Sequence, residues 1–199
     1  IDFFGYPFCR GRVIKQIENC DVYNTTREVF WASGCCFAVR NKIFKKLNGF
    51  DNDFFTHMEE IDFCWRLKNI NNEYKVISVG KSKVYHIGAS TLNYNSSKKY
   101  FFNFRNSLIM IVKNIPLKYL TPVIFSRIFI DLFIAIICFL KFKPKLSYSI
   151  FNAYYYLFSN LRIIFAKRYK SKKTDNYYYC FSLLLNYYIR NKKTFSSFK

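Results

Sequence analysis

The amino-acid sequence predicts an α/β domain in residues 1–115 and a helical, membrane-associated segment in residues 116–199. Strand-like and helix-like patterns alternate through the first part, as they do in α/β proteins. Residues 123–140 then form an apolar run. Basic residues exceed acidic ones much more strongly in the second part than in the first.

Charge divides the chain at the same place. Residues 1–115 hold 17 Lys and Arg against 10 Asp and Glu, whereas residues 116–199 hold 15 against 2, so +13 of the formal net charge of +20 falls in the second part. This asymmetry predicts an anionic partner surface, either nucleic acid or phospholipid headgroups. An AT-rich coding sequence, which favours Lys, Asn, Ile, Phe and Tyr, would also explain part of the charge.

Cysteine usage indicates the compartment. The chain has seven cysteines, an odd number, and no two of them form a CxxC pair. This favours reduced thiols in a cytosolic compartment over a disulfide framework or a zinc site. The chain also begins at Ile1 without the basic and apolar segments of a signal peptide, so a truncated start is expected.

The first elements follow from local patterns. Residues 1–30 are irregular, whereas the apolar run EVFWASGCCFAV, residues 28–39, predicts a strand. The run is interrupted at Gly34, where another group is expected to approach the backbone closely. NKIFKKLNGFD predicts a short helix with Asn41 as N-cap and Gly49 at the C′ position.

Further elements complete the alternation of strand and helix. A second helix is predicted to begin near Met58 or Glu59 and to end near Asn69. YKVISVG and SKVYHIG have the β-branched, alternating character of two short strands. SKKYFFNFRNSLIMIVKNIP then predicts a helix that stops at Pro116.

Residues 123–140, VIFSRIFIDLFIAIICFL, predict a membrane-associated helix. As a helix this run spans roughly 27 Å, close to a hydrocarbon core of about 30 Å. Its Val, Ile, Leu and Phe residues favour insertion by roughly 4 to 8 kcal/mol, whereas Arg127 and Asp131 oppose it by about 5 to 7 kcal/mol. Because these terms nearly cancel and the two charges are spaced i, i+4, a spanning helix and an interfacial helix both remain open.

Carboxylates concentrate in the stretch FFTHMEEIDFCWRL, residues 54–67, although the chain is basic overall. Glu59, Glu60 and Asp62 fall in the first turn of the second predicted helix. Carboxylates there complement the helix macrodipole and the free N–H groups, which is a purely structural role. Alternatively, one of them is a general base that the helix start holds in a cleft. The spacing alone leaves both interpretations open.

The surrounding motifs resemble glycosyltransferase family 2, in particular its bacterial rhamnosyltransferase-like branch, which has the GT-A fold. LNGFDNDFF, MEEIDFCWR and VYHIGAS follow one another in the order and at the intervals of that family, after GYPFCRGR and the small-residue run WASG. The resemblance covers nearly all of residues 1–115. It implies that this part is the C-terminal, acceptor-binding and catalytic half of a Rossmann-like GT-A domain, with residues 116–199 as a basic, aromatic-rich tail.

The resemblance implies roles for individual residues. Glu60 matches the catalytic base, with Glu59 as the alternative if the helix start is shifted. Asp62 matches an acidic position that serves acceptor binding or the orientation of its neighbours, and His86 matches a histidine that binds a divalent cation beside the donor diphosphate. The floor beneath donor sugar and acceptor falls on Trp31, Ala32, Ser33 and Gly34. Basic candidates for phosphate contacts are Arg10, Arg12, Lys98, Lys99 and Arg105.

The activity that the resemblance implies is inverting transfer of a single sugar from a nucleotide-sugar donor to a glycan acceptor, with Mn²⁺ or Mg²⁺ as cofactor. A lipid-linked acceptor in cell-surface polysaccharide synthesis suits the basic tail and a location on the cytoplasmic face of the bacterial inner membrane. The family's nucleotide-binding strands and Asp-x-Asp metal motif have no counterpart here, so a fragment that is inactive alone is expected. The QxxRW element of processive synthases is also missing, which favours single transfer.

Two other classes of protein explain part of the sequence. A nucleic-acid-binding protein would account for the charge and the aromatic residues, but no known module fits. A non-catalytic, membrane-associated protein would account for the tail and leave MEEID and VYHIGAS unexplained.

Overall fold

Six α-helices and four short strands make up most of the regular structure in the computed structural model, which describes residues 1–18, 23–85, 96–168 and 176–198. The helices are α1 (Asn41–Lys46), α2 (Glu59–Ile70), α3 (Ser97–Asn114), α4 (Leu117–Leu140), α5 (Pro144–Ser159) and α6 (Leu161–Ala166). The strands are β1 (Arg12–Val13), β2 (Gln16–Ile17), β3 (Arg27–Val29) and β4 (Val76–Ser78). Single turns of 3₁₀-helix at Asn52–Phe54 and Phe195–Phe198 and of π-helix at Leu185–Ile189 complete the elements.

The sheets of the described residues are two small antiparallel pairs. β1 pairs with β2, and β3 pairs with β4 in a register that sets Val29 opposite Val76. Helices therefore dominate the described structure. The α/β class and the GT-A fold stay predictions, because two antiparallel pairs do not identify a Rossmann-like sheet.

The helix predictions are confirmed for α2 and α3, and α1 differs in its caps. α1 begins at Asn41, and its N-cap is Arg40, so the assignment of Asn41 as N-cap is wrong. The helix ends at Lys46 with Leu47 as C-cap, and both Asn48 (φ 56°) and Gly49 (φ 62°) are left-handed. The C′ residue is therefore Asn48, which also tolerates this conformation, and the assignment of Gly49 to C′ is wrong.

The strand predictions are only partly correct. The strand predicted for residues 28–39 ends at Val29, and a turn follows around Gly34. Since β4 begins opposite Val29, the residues after Val29 have no strand to pair with. In the predicted strand SKVYHIG, residues 82–85 have no strand structure, and the remainder lies outside the described residues.

α3 is the central helix of the bundle. It packs against α2, α4, α5 and α6, and its middle is covered on every face. Four consecutive side chains there are 0% exposed: Leu108, Ile109, Met110 and Ile111. A helix buried all round must satisfy its polar side chains within the protein.

A buried charge fixes α4 to the N-terminal segment and to α3. The Arg127 side chain is 1% exposed and pairs with Asp131 at 3.1 Å, so the predicted i, i+4 pair is confirmed. The Arg127 guanidinium also donates hydrogen bonds to the Phe4 carbonyl (3.2 Å) and to Ser107 Oγ on α3 (3.0 Å). It lies over the ring of Tyr6, 3.9 Å from the centroid.

Asp131 is satisfied from both sides of the bundle. Its carboxylate is 0% exposed and accepts hydrogen bonds from the hydroxyls of Tyr6 and Tyr154, the second on α5. α4 therefore turns its only two charged residues between Tyr119 and Leu140 toward the protein interior.

We expect Asp131→Ala to destabilise the fold by about 3 to 5 kcal/mol, because it leaves the Arg127 charge buried without its carboxylate. Urea unfolding of the purified chain in detergent-free buffer measures this loss. Phe129→Ala, two residues away on the exposed face of α4, is the matched control and should cost under about 1 kcal/mol. A loss for Asp131→Ala no larger than the control's would show that the pair does not hold α4.

Candidate active site

The site lies at the start of α2, where Glu59 and Glu60 occupy the first turn. The backbone that enters this helix is unusual: Phe55 (φ 56°), His57 (φ 69°) and Met58 (φ 73°) all have positive φ. Such angles are rare for residues with a side chain and cost about 1 to 3 kcal/mol each. The surrounding structure must therefore hold the loop in place.

Asn106 of α3 holds this loop. Its side chain is 0% exposed, and its Nδ2 donates to the carbonyls of Phe54 (2.8 Å), Thr56 (2.7 Å) and His57 (2.8 Å). One side-chain amide thus binds three backbone carbonyl oxygens of the segment that precedes Glu59. The orientation of the helix start depends on this contact.

Arg105, beside Asn106, supports the same loop. Its Nη2 donates to the Asp53 carbonyl at 2.6 Å, and its Nε donates to Asn106 Oδ1 at 2.9 Å. The side chain is 8% exposed and stacks against the rings of Phe102 and Tyr156. Arg105, a basic candidate for phosphate binding from the sequence, instead shapes the loop in this structure.

Asp62, in the first turn of α2, is buried, and both of its carboxylate oxygens accept hydrogen bonds. It is 0% exposed and binds Arg66 Nε at 2.7 Å, Lys113 Nζ at 3.0 Å and Asn114 Nδ2 at 2.7 Å. Lys113 also binds Asp51 at 2.7 Å. This network joins α2 to α3 and favours the orienting role of Asp62 over direct contact with an acceptor.

Glu60 lies against the backbone of the WASG segment. The Gly34 N–H points to Glu60 Oε1 at 3.5 Å, and a Cβ built on Gly34 would lie 3.6 Å from Glu60 Cδ. The structure thus brings together two of the residues that the resemblance places in one site. A side chain at position 34 would fill the space beside the carboxylate.

Three polar atoms near this helix start are buried without a hydrogen-bond partner in the described part of the chain. They are Glu59 Oε2, Glu60 Oε2 and His57 Nε2. Most buried polar atoms are paired, so unpaired ones need an explanation such as stored strain, a catalytic role or a bound water. Three of them on residues 57–60 distinguish this helix start from an ordinary capped terminus.

Burial and nearby charges shift the pKa of His57 and of Glu60, the two ionisable groups on either side of Glu59. Burial raises the pKa of Glu60 above its ordinary value of 4.5, and the neighbouring Glu59 charge raises it further, against the lowering effect of backbone N–H groups. Burial and the Lys99 charge lower the pKa of His57, whereas Glu59 opposes that shift. A carboxylate with a raised pKa is a better base near neutral pH than a solvated one.

His57 was not among the site residues predicted from the sequence. A signal for it existed, because it is one of only two histidines in the chain and stands two residues before Glu59. The histidine that was predicted as a metal ligand, His86, lies outside the described residues. Within those residues, no three His, Cys, Asp or Glu side chains come close enough to hold a metal ion.

The rest of the WASG segment lines an open cleft of about 1620 Å³. Trp31, Ala32 and Ser33 contribute to its wall together with the basic residues Arg10 and Arg27. Glu59 and Glu60 do not belong to this wall. Gly34, the last residue of the segment, contacts Glu60.

No family model, curated protein or solved structure matches the chain. The resemblance to glycosyltransferase family 2 therefore stays a prediction that rests on the sequence motifs.

We expect Asn106→Ala to destabilise the protein by about 2 to 4 kcal/mol, since three loop carbonyls lose their donor. Urea unfolding gives the total loss, and hydrogen exchange of the amides in residues 54–58 shows whether it begins there. Asn103→Ala, a half-buried asparagine on the same helix, is the matched control and should cost under about 1 kcal/mol. Equal protection of the loop in both variants would refute the role given to Asn106.

We expect Glu60→Gln to raise the melting temperature at pH 7 and to leave it unchanged below pH 4. The folded-state pKa of Glu60 is raised, so the stability contributed by the protonated carboxyl is complete below the unfolded pKa and is lost as pH rises through the folded pKa. Gln stays neutral throughout and avoids this loss. Thermal unfolding at several pH values, with Glu73→Gln on the surface as control, measures the difference. A variant less stable than the parent at pH 7 would contradict the account.

Proposed function

We propose that the chain is the acceptor-binding, catalytic half of an inverting glycosyltransferase. The whole enzyme would transfer one sugar from a nucleotide-sugar donor to a lipid-linked glycan acceptor in cell-surface polysaccharide synthesis. The observation that carries this proposal is the buried, unpaired carboxylate oxygen of Glu60, at a strained helix start and beside the backbone of Gly34. The ordered motifs around these residues support it.

In the proposed reaction Glu60 is the general base. Its Oε2 accepts the proton of an acceptor hydroxyl while that oxygen forms a bond to the anomeric carbon of the donor sugar. The bond from the anomeric carbon to the diphosphate breaks at the same time, and its electron pair stays on the diphosphate oxygen. Attack opposite the leaving group inverts the anomeric configuration.

The neighbouring residues support this role in distinct ways. The Glu59 charge helps to raise the pKa of Glu60, which keeps the carboxylate basic enough to take a proton. Gly34 lets the backbone approach the Glu60 carboxylate closely because it has no side chain. Asn106 holds the loop that sets the direction of the helix start. Glu59 remains the alternative base, since its own Oε2 is also unpaired.

Donor binding is proposed for the WASG segment and the cleft that it lines. Trp31 offers an aromatic face for a sugar ring, and Arg10 and Arg27 add positive charge for a diphosphate. Mn²⁺ or Mg²⁺, with His86 as a ligand, would neutralise charge on the departing diphosphate when bound. The whole protein then works on the cytoplasmic face of the bacterial inner membrane, where a lipid-linked acceptor is anchored.

A non-catalytic membrane-associated protein is the second candidate, because the helical tail exposes a large apolar surface. It does not explain the unpaired carboxylates at the start of α2. The two candidates differ in whether Glu60 is needed for a chemical step.

We expect Glu60→Gln in the complete protein to lower the rate of sugar transfer by about 10² to 10⁴, the usual contribution of a general base. Donor affinity should stay within about threefold, because the amide keeps the shape of the side chain but does not accept the proton. Turnover and donor titration are measured side by side.

Glu59→Gln is the matched control for this experiment and should lower turnover less than tenfold. A Glu60→Gln variant that keeps most of its rate while Glu59→Gln loses it would move the base to Glu59. Full rates in both variants would remove the carboxylates from the chemistry.

A further inference from the structure

The polarity of α4 is inverted relative to a helix on the surface of a soluble protein. Its buried side carries Arg127 and Asp131 together with Val123, Ala135 and Cys138. From Pro122 to Leu140, every exposed residue is apolar. Soluble domains place most charged side chains at the surface and most apolar side chains inside. The exposed face of α4 therefore indicates contact with an apolar environment.

From Phe125 to Leu140, the exposed residues of α4 form a single stripe. They are Phe125, Phe129, Leu132, Phe133, Ile136, Phe139 and Leu140, each between 39% and 69% exposed. Their spacings of three and four residues place them on one face of the helix, opposite the ion pair. Such a face is too large and continuous to be explained as scattered surface hydrophobics.

α5 continues this surface on the neighbouring helix. It packs against α4, and its exposed residues between Tyr148 and Phe158 are all aromatic: Tyr148, Phe151, Tyr155 and Phe158. Tyrosine is enriched where a membrane meets water, because its ring is apolar and its hydroxyl is polar. The exposed residues of α4 from Phe125 to Leu140 and the four exposed aromatic residues of α5 together are called the outer apolar surface below.

Basic residues mark one end of the outer apolar surface. The turn from α4 to α5 exposes Lys141, Lys143 and Lys145, and between them Phe142 is 94% exposed. Lysines beside an apolar surface match a bilayer that carries anionic headgroups. A protein partner that covered this surface would need negative charge next to these lysines. An anionic leaflet carries negative charge along its whole surface.

We propose that the outer apolar surface inserts into one leaflet of an anionic bilayer, with α4 lying along the membrane instead of crossing it. This deepens the membrane location that belongs to the proposed function, and it names the contacting surface and its depth. The three lysines of the turn lie at the headgroups.

The contacts of Arg127 and Asp131 exclude a crossing helix. The middle of α4 is bonded to Phe4, Tyr6 and Ser107, and Ser107 lies on α3 beside Asn106. A spanning α4 would carry these elements into the hydrocarbon, where the polar groups of α3 and its loops would lack water. Interfacial insertion keeps them outside and still covers the phenylalanine face.

The experiment measures binding of the purified chain to vesicles by flotation. Vesicles contain either phosphatidylcholine alone or an equal mixture with phosphatidylglycerol. The chain should bind the anionic vesicles more tightly, by about fivefold for each lysine that reaches the headgroups. Lys141→Gln, Lys143→Gln and Lys145→Gln combined should remove most of this preference and leave binding to phosphatidylcholine unchanged.

A charge on the apolar face tests the surface itself. The double variant Phe129→Glu, Phe133→Glu should lower vesicle binding at least tenfold, because it places two carboxylates against the hydrocarbon. The matched control is Ile17→Glu, Ile77→Glu, which adds the same charge at exposed apolar residues of β2 and β4. Equal urea midpoints for both variants show that each is folded.

Extraction distinguishes the two depths. Alkaline carbonate should release the bound chain, as it does an interfacial protein, and resistance to carbonate would show a spanning helix and overturn the proposal. Equal binding of the phenylalanine variant and its control would also overturn it. So would a chain that stays off vesicles and self-associates through this surface. Vesicle binding needs no sugar transfer, so a failure here is separate from a failure of the Glu60 variants.

Discussion

The rest of the structure depends on the hydrogen bonds and ion pairs that join α3 to the segment around the start of α2. Asn106 gathers the carbonyls of the strained loop, and Lys113 and Asn114 neutralise Asp62 one turn further into α2. These polar groups are buried in the middle of the bundle, where each unsatisfied partner would be costly. The loop therefore keeps its positive φ angles, and Glu60 keeps its place beside the Gly34 backbone.

The same helix connects the candidate site to the tail. Ser107, the neighbour of Asn106 on α3, accepts a hydrogen bond from the Arg127 guanidinium of α4. This bond joins α4 to α3 next to the residue that holds the loop before Glu60. Arg127 and Asp131, whose charges would oppose insertion of α4 into a membrane, thus pair inside the protein, and the phenylalanines of α4 face outward. If the outer apolar surface contacts a bilayer, as we propose, α3 holds both the loop that precedes Glu60 and the helix that meets the membrane.

Local pattern was sufficient for α2 and α3, whereas α4 begins at Leu117, before the predicted residues 123–140, and the bounds of α5 were not predicted. The 3.6-residue periodicity and the flanking Pro116 predict α3 correctly, and the i, i+4 spacing predicts the pairing of Arg127 with Asp131. The role of Asn106 was not predictable, because an asparagine inside an apolar helix gives no sign of the loop that it binds some fifty positions earlier. The strand predicted after Val29 failed for a similar reason, since its partner strand is too short to continue the pairing.

The most direct test of a reaction centre at Glu60 is the stereochemistry of the product. The complete protein, supplied with nucleotide-sugar donors and a lipid-diphosphate acceptor, would be followed by proton NMR of the new anomeric centre. Direct displacement with a carboxylate as base predicts inversion, so a donor with an axial diphosphate gives an equatorial glycoside. Retention of configuration, or no transfer from any donor by a correctly folded protein, would contradict this account of the carboxylates at the start of α2.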